Sequence, residues 1–161
     1  MDLDLSVALT VDQPWASLIA IGEKSIENRS WRPAERFIGM PLLIHAGRSY
    51  DHLGSFDLKV TQGIDCYAPH MPQRAIVAIT RLADVITASD DPWFVGPYGW
   101  ILDNVQAIAP VACSGNRGLW CPSKDVQQRV FAAAAESFDL DYYLAPPRTK
   151  SSQNPTYPLT I

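Results

Sequence analysis

Short apolar runs of strand length alternate with turn-forming residues along this chain, and together they predict about six strands separated by short helices. Leu5 to Val11 reads as a first strand. Asp12-Gln13-Pro14 then signals a helix start with the aspartate as cap, and Trp15, Leu18 and Ile19 fall on one face of that helix. Gly22 ends the helix by taking a left-handed conformation. Ser25 to Arg32 is the second strand, and alternation puts Glu27, Arg29 and Trp31 on one face with Ile26, Asn28 and Ser30 on the other. Pro41 to Ala46 is a dense apolar run suited to the middle of a sheet, and Ala75 to Ile86, Tyr98 to Leu102 and Ala107 to Cys113 complete the strands. Asp51 to Val60 carries Leu53, Phe56 and Val60 at helical spacing. Ser123 caps a helix to about Phe138 whose apolar stripe is Val126, Val130, Ala133 and Ala134.

Strands interspersed with helices, without regular βαβ alternation, predict an α+β protein built as a small mixed β barrel with peripheral helices. The 161 residues suffice for one domain, placed at residues 1–138, and residues 139–161 form an extended tail with prolines at 146, 147, 155 and 158. That tail is a candidate attachment point for a protein partner. No internal repeat is visible, which argues against solenoids and propellers.

Composition adds the setting. With 47% hydrophobic and 19% charged residues the chain has an ordinary globular balance, no apolar stretch is long enough to span a bilayer, and the acidic start Met1-Asp2-Leu3-Asp4 is unlike a secretory signal. A cytoplasmic, non-membrane protein is expected. Cys66, Cys113 and Cys121 match neither a redox pair nor a zinc knuckle and read as free thiols. His45, His52 and His70 are scattered, so neither a metal site nor a cofactor is expected.

The net charge of −4 argues against a protein that coats nucleic acid by bulk electrostatics. Locally the balance reverses: Lys24, Arg29, Arg32, Arg36 and Arg48 against Glu27 and Glu35 give five minus two, or +3. Gly22-Glu23-Lys24-Ser25 lacks the glycines and the contiguous Gly-Lys-Ser of a phosphate loop, and HExxH, GxSxG and GxGxxG are absent. The chemistry-bearing residues instead gather between Leu9 and His45.

In that stretch, the segments 9–16 (Leu-Thr-Val-Asp-Gln-Pro-Trp-Ala), 22–31 (Gly-Glu-Lys-Ser-Ile-Glu-Asn-Arg-Ser-Trp) and 42–46 (Leu-Leu-Ile-His-Ala) resemble the ASCH domain family. The likeness continues through Ala75 to Ala78, Gly96 to Trp100 and Gly118 to Trp120. The resemblance implies a PUA-like β barrel associated with RNA recognition, with Lys24, Glu27 and Arg29 on the Gly-x-Lys-x-x-Glu-x-Arg motif of its cleft. Residue chemistry agrees with a nucleotide site: cations for phosphate, an aromatic ring for stacking, a carboxylate or amide for base edges.

The expected function is therefore binding of single-stranded RNA or a modified nucleotide in a cationic, aromatic-lined cleft formed by Gln13, Trp15, Lys24, Glu27, Arg29, Trp31, His45 and Tyr98. Structural readings stand beside these roles. Trp15 and Trp100 suit a core, Glu27 and Arg29 suit an ion pair fastening the first helix, and Lys24 suits a helix C-terminus. The alternative is an enzyme with Lys24 and Glu27 as catalytic residues: a metal-independent ribonuclease, or an N4-acetylcytidine-type amidohydrolase. Relatives of the latter kind place a threonine nucleophile where this chain has Glu27, so that activity fits the motif less well.

Overall fold

The structure, a computed structural model, describes residues 4–64 and 71–138. Cys66, His70 and the whole tail 139–161 lie outside the described residues. Six strands form one mixed sheet in the order β2-β5-β4-β3-β1-β6: β1 (Ala8–Gln13), β2 (Ile26–Arg29), β3 (Pro41–Tyr50), β4 (Ala75–Ile86), β5 (Tyr98–Ala112) and β6 (Leu119–Trp120). β1 runs parallel to β3, and every other pairing is antiparallel. Three helices accompany the sheet: α1 (Trp15–Ala20), α2 (His52–Gln62) and α3 (Lys124–Ala134). None is long and apolar enough to cross a membrane.

The expected barrel is corrected to an open sheet, because β2 pairs only with β5 and β6 reaches β1 through only Leu119 and Trp120. The sheet is nevertheless folded. Bulges interrupt the β3–β4 ladder at Ile44/His45 and the β4–β5 ladder at Ile76/Ala78, Ile79/Arg81 and Leu82/Asp84, and each adds local twist. In consequence α1 touches four strands, β1, β3, β4 and β5, and buries Ala16, Ile19 and Ala20 among Leu9, Val11, Leu42, Ile44, Leu82 and Trp100, while Leu18 packs with Leu58 and Met71.

Other residues of the same strands, Ala8, Leu43, Ile76 and Ile108, form a second core with Val126 and Val130 of α3. Two covered faces explain why β3 is buried on both sides from Leu42 to Gly47, as the apolar run at its start implied. α3 starts where expected, with Ser123 Oγ accepting from the Val126 amide, and ends at Ala134.

Other boundaries differ. β1 continues through Asp12 to Gln13, so Asp12 is not a helix cap; Gln13 Oε1 instead accepts from the Ser17 amide at 3.0 Å. β5 is one 15-residue strand where the sequence suggested two, the polar Asp103, Asn104 and Gln106 lying within a strand that continues past the bulges. α2 lies with Leu58 buried and Leu53, Phe56 and Val60 all exposed, the reverse of the orientation the apolar spacing suggests.

Candidate functional site

The site begins where α1 stops. Gly22 (φ +80°) turns the chain, the Glu23 and Lys24 amides donate to Leu18 O at 3.0 and 3.1 Å, and β2 starts two residues later. Lys24 then folds inward and is only 4% exposed. Its Nζ donates to Ile26 O and to Glu27 Oε2, the latter at 3.0 Å. Glu27 Oε1 lies 3.2 Å from Arg29 Nε, and Arg29 Nη2 donates to Thr10 O at 2.7 Å. Side chains thus bridge β2 to β1 where a backbone ladder would have closed the barrel. The Arg29 Nε–H is buried, and although it is within ion-pair distance of Glu27 it has no aligned hydrogen-bond acceptor.

Above this bridge lies a cavity of about 170 Å³ lined by Thr10, Val11, Asp12, Trp15, Glu27, Asn28 and Arg29. Trp15 is held in place by α2: its Nε1 donates to Asp51 Oδ2 at 3.3 Å, while Asp51 Oδ1 caps the helix by accepting from the Gly54 amide at 2.8 Å. Gly54 is there because a Cβ would stand 2.4 Å from Trp15 Cζ2. Asn28 also lines the cavity and ties down the loop before β5, donating to Trp93 O at 2.9 Å and accepting from the Val95 and Gly96 amides at 2.8 and 3.0 Å. Burial holds the Asp12 carboxyl above the usual aspartate range, and Asp51 and Glu27 push the same way against the opposing pull of Arg29.

Of the residues singled out in the sequence, Trp15, Glu27 and Arg29 line this cavity and Lys24 supports it from beneath. Four others sit elsewhere. Gln13 is fully buried between the Ser17 amide and Pro72 O, to which its Nε2 donates at 2.8 Å. Trp31 lies beyond the end of β2, so strand alternation does not extend to it; it meets Trp100 edge-to-face at 4.8 Å. Tyr98 is paired with Arg29 across β2 and β5 but is not part of the cavity wall. The local +3 charge also disperses, since Arg32 pairs with Glu35 at 2.7 Å and Arg36 covers the Phe37 ring.

His45 belongs to the second core. Its Nε2 is 2.9 Å from Cys113 O, which can only accept, so this nitrogen carries the proton and Nδ1 accepts from Thr10 Oγ1 at 3.1 Å. Thr10 Oγ1 in turn accepts from Trp120 Nε1 at 3.1 Å, and Gly115 closes over the imidazole where a Cβ would be 2.5 Å from Cε1. Burial, partly offset by the Cys113 carbonyl, lowers the His45 pKa. A histidine with a folded-state pKa below its unfolded value binds fewer protons folded than unfolded. Its contribution to stability is complete above about pH 6.5 and is lost as pH falls from there through the folded value. Urea midpoints should accordingly fall between about pH 7.5 and about pH 5.5, and His45→Gln should flatten that slope; an unchanged slope would refute the assignment.

Asp12 and Asn28 were not apparent as site residues from sequence. Asp12 resembled a cap, and Asn28 occupied the face opposite Glu27. Among the described residues no group of three or more His, Cys, Asp or Glu side chains is placed to hold a metal ion.

The sequence model of the ASCH domain matches residues 9–93. Among solved structures, ASCH from Zymomonas mobilis superposes with a TM-score of 0.50 at 14% identity, covering 78% of this chain and 93% of that one. A mutant of the same Zymomonas mobilis protein gives a TM-score of 0.50 at 14% identity, covering 78% and 96%. At such identity the likeness is one of fold. No curated protein matches the chain.

Proposed function

The chain belongs to the ASCH domain family, and from that premise we propose that it binds single-stranded RNA, or a modified nucleotide, in the cavity between β1 and β2. The observation carrying this reading is that Trp15 lines the same space of about 170 Å³ as the polar residues Asp12, Glu27, Asn28 and Arg29. Unpaired bases are recognised by stacking on aromatic rings and by hydrogen bonds to their edges, with stacking contributing about 1–3 kcal/mol per base. PUA-like architecture and the ASCH family's association with RNA support the same reading.

A binding role is favoured over hydrolysis by the state of the candidate bases. Both Glu27 oxygens face cations, Lys24 and Arg29, and His45 has both ring nitrogens engaged in the second core. Neither is positioned to take a proton from a ligand in the cavity.

The test is fluorescence anisotropy of an end-labelled single-stranded RNA at low salt, followed by a denaturing gel of the same samples. Wild type should bind saturably and leave the RNA intact, and Arg29→Gln should weaken binding by about tenfold through loss of a charged donor. Shortened RNA made only by active wild type would transfer the assignment to the ribonuclease alternative. No binding at any salt would overturn the RNA reading.

A further inference from the structure

Resting on the reading of this cavity as an RNA site, we propose that it takes the hydrogen-bonding edge of one unpaired nucleobase and leaves the phosphate outside. The first argument is charge. Two cations, Lys24 and Arg29, stand with three carboxylates, Asp12, Glu27 and Asp51, so the surroundings of the cavity do not attract an anion. Lys24 is withdrawn as well: it is 4% exposed, and two of its three N–H donors go to Ile26 O and Glu27.

The second argument is which groups remain unpaired. Arg29 Nε–H is a buried donor without a hydrogen-bond partner, a costly state that a native site rarely keeps without use. Asp12, on the same cavity wall, accepts no hydrogen bond from the described residues. An arginine N–H with no aligned acceptor and an aspartate carboxylate with no donor, both on residues that line the cavity, complement a nucleobase edge, where an N–H lies next to a ring nitrogen or carbonyl oxygen. A phosphate offers acceptors only and would leave Asp12 facing another anion. Size agrees, because about 170 Å³ is well below the roughly 300–1,000 Å³ of sites that enclose drug-sized ligands, leaving room for a ring rather than a whole nucleotide. The raised proton affinity of Asp12 comes first from burial, with Asp51 and Glu27 adding to it against the pull of Arg29.

Adenosine, cytidine and uridine, their 5′-monophosphates and inorganic phosphate would be titrated into nitrogen-15-labelled protein while the Arg29 Nε–H and Trp15 Nε1–H resonances are followed. A nucleoside should move both resonances saturably, and its 5′-monophosphate should bind within about threefold of it. Inorganic phosphate should move neither. Asp12→Asn, at an exposed position, should weaken nucleoside and monophosphate alike by about tenfold, since a neutral acceptor replaces a charged one. Monophosphates binding about tenfold or more tighter than nucleosides, or phosphate alone shifting Arg29, would overturn the proposal. RNA binding in the anisotropy assay without any nucleoside response would overturn it too, while leaving the RNA reading intact; absence of both would remove both.

Discussion

Lys24→Ala is expected to destabilise the protein by about 3–5 kcal/mol, the usual cost of removing one partner from a buried ion pair. The side chains of Lys24 and Glu27 are 5% and 10% exposed, so alanine would leave a carboxylate in the interior with only the misaligned Arg29 Nε facing its other oxygen. It would also leave Ile26 O without the ammonium. Lys24→Met combined with Glu27→Gln should recover at least half of the loss, because exchanging a whole buried pair for neutral side chains of similar volume is far cheaper than breaking it. Urea unfolding of the two variants measures both numbers. A loss within about 0.5 kcal/mol of wild type for Lys24→Ala would mean that the lysine is solvated. The result also bears on interpretation of the motif: a Lys24→Ala protein that loses RNA binding has lost the floor of the cavity, not a phosphate contact.

Thr10→Val should cost about 2–4 kcal/mol although it preserves side-chain shape. The hydroxyl accepts from Trp120 Nε1 and donates to His45 Nδ1, each at 3.1 Å, and valine would leave both without partners. Thr10→Ser keeps the hydroxyl and should stay within about 1 kcal/mol of wild type. If the two variants unfold alike, the hydroxyl is not what joins β1, β3 and β6. In Thr10→Val the His45 Nδ1 loses its donor while Nε2–H stays on Cys113 O, so carbon-13 shifts of the imidazole should show the same tautomer with one bond lost.

Much of the frame was legible from sequence because its signals are local. β4 spans Ala75–Ile86 as its run of apolar and β-branched residues predicts, and Ser123 caps α3 through its own side chain. Two features depend on tertiary packing and were not legible. Alternation within β2 correctly joined Glu27 to Arg29, but the strand stops at Arg29, so its period says nothing about Trp31. His45 and Gln13 are polar residues next to apolar runs, and only the distant partners Cys113, Thr10 and Pro72 decide that they are structural. Asp12 was missed because an aspartate two residues before a proline and a helix carries the local signature of a cap. The side chain that bonds an amide at this helix start is Gln13, which accepts from Ser17.

An open sheet has two unpaired rims, and rims recruit strands from other copies of the same chain. Here both are blunted. β6 offers only Leu119 and Trp120, too short a template for a stable intermolecular ladder. β2 has only four residues, with the Ile26 carbonyl taken by Lys24 and the Asn28 side chain pinning the loop of Trp93 to Gly96 beside it. The side chains that replaced a closing ladder therefore also protect the folded protein from aggregation, and weakening them would expose a sticky edge as well as a damaged cavity.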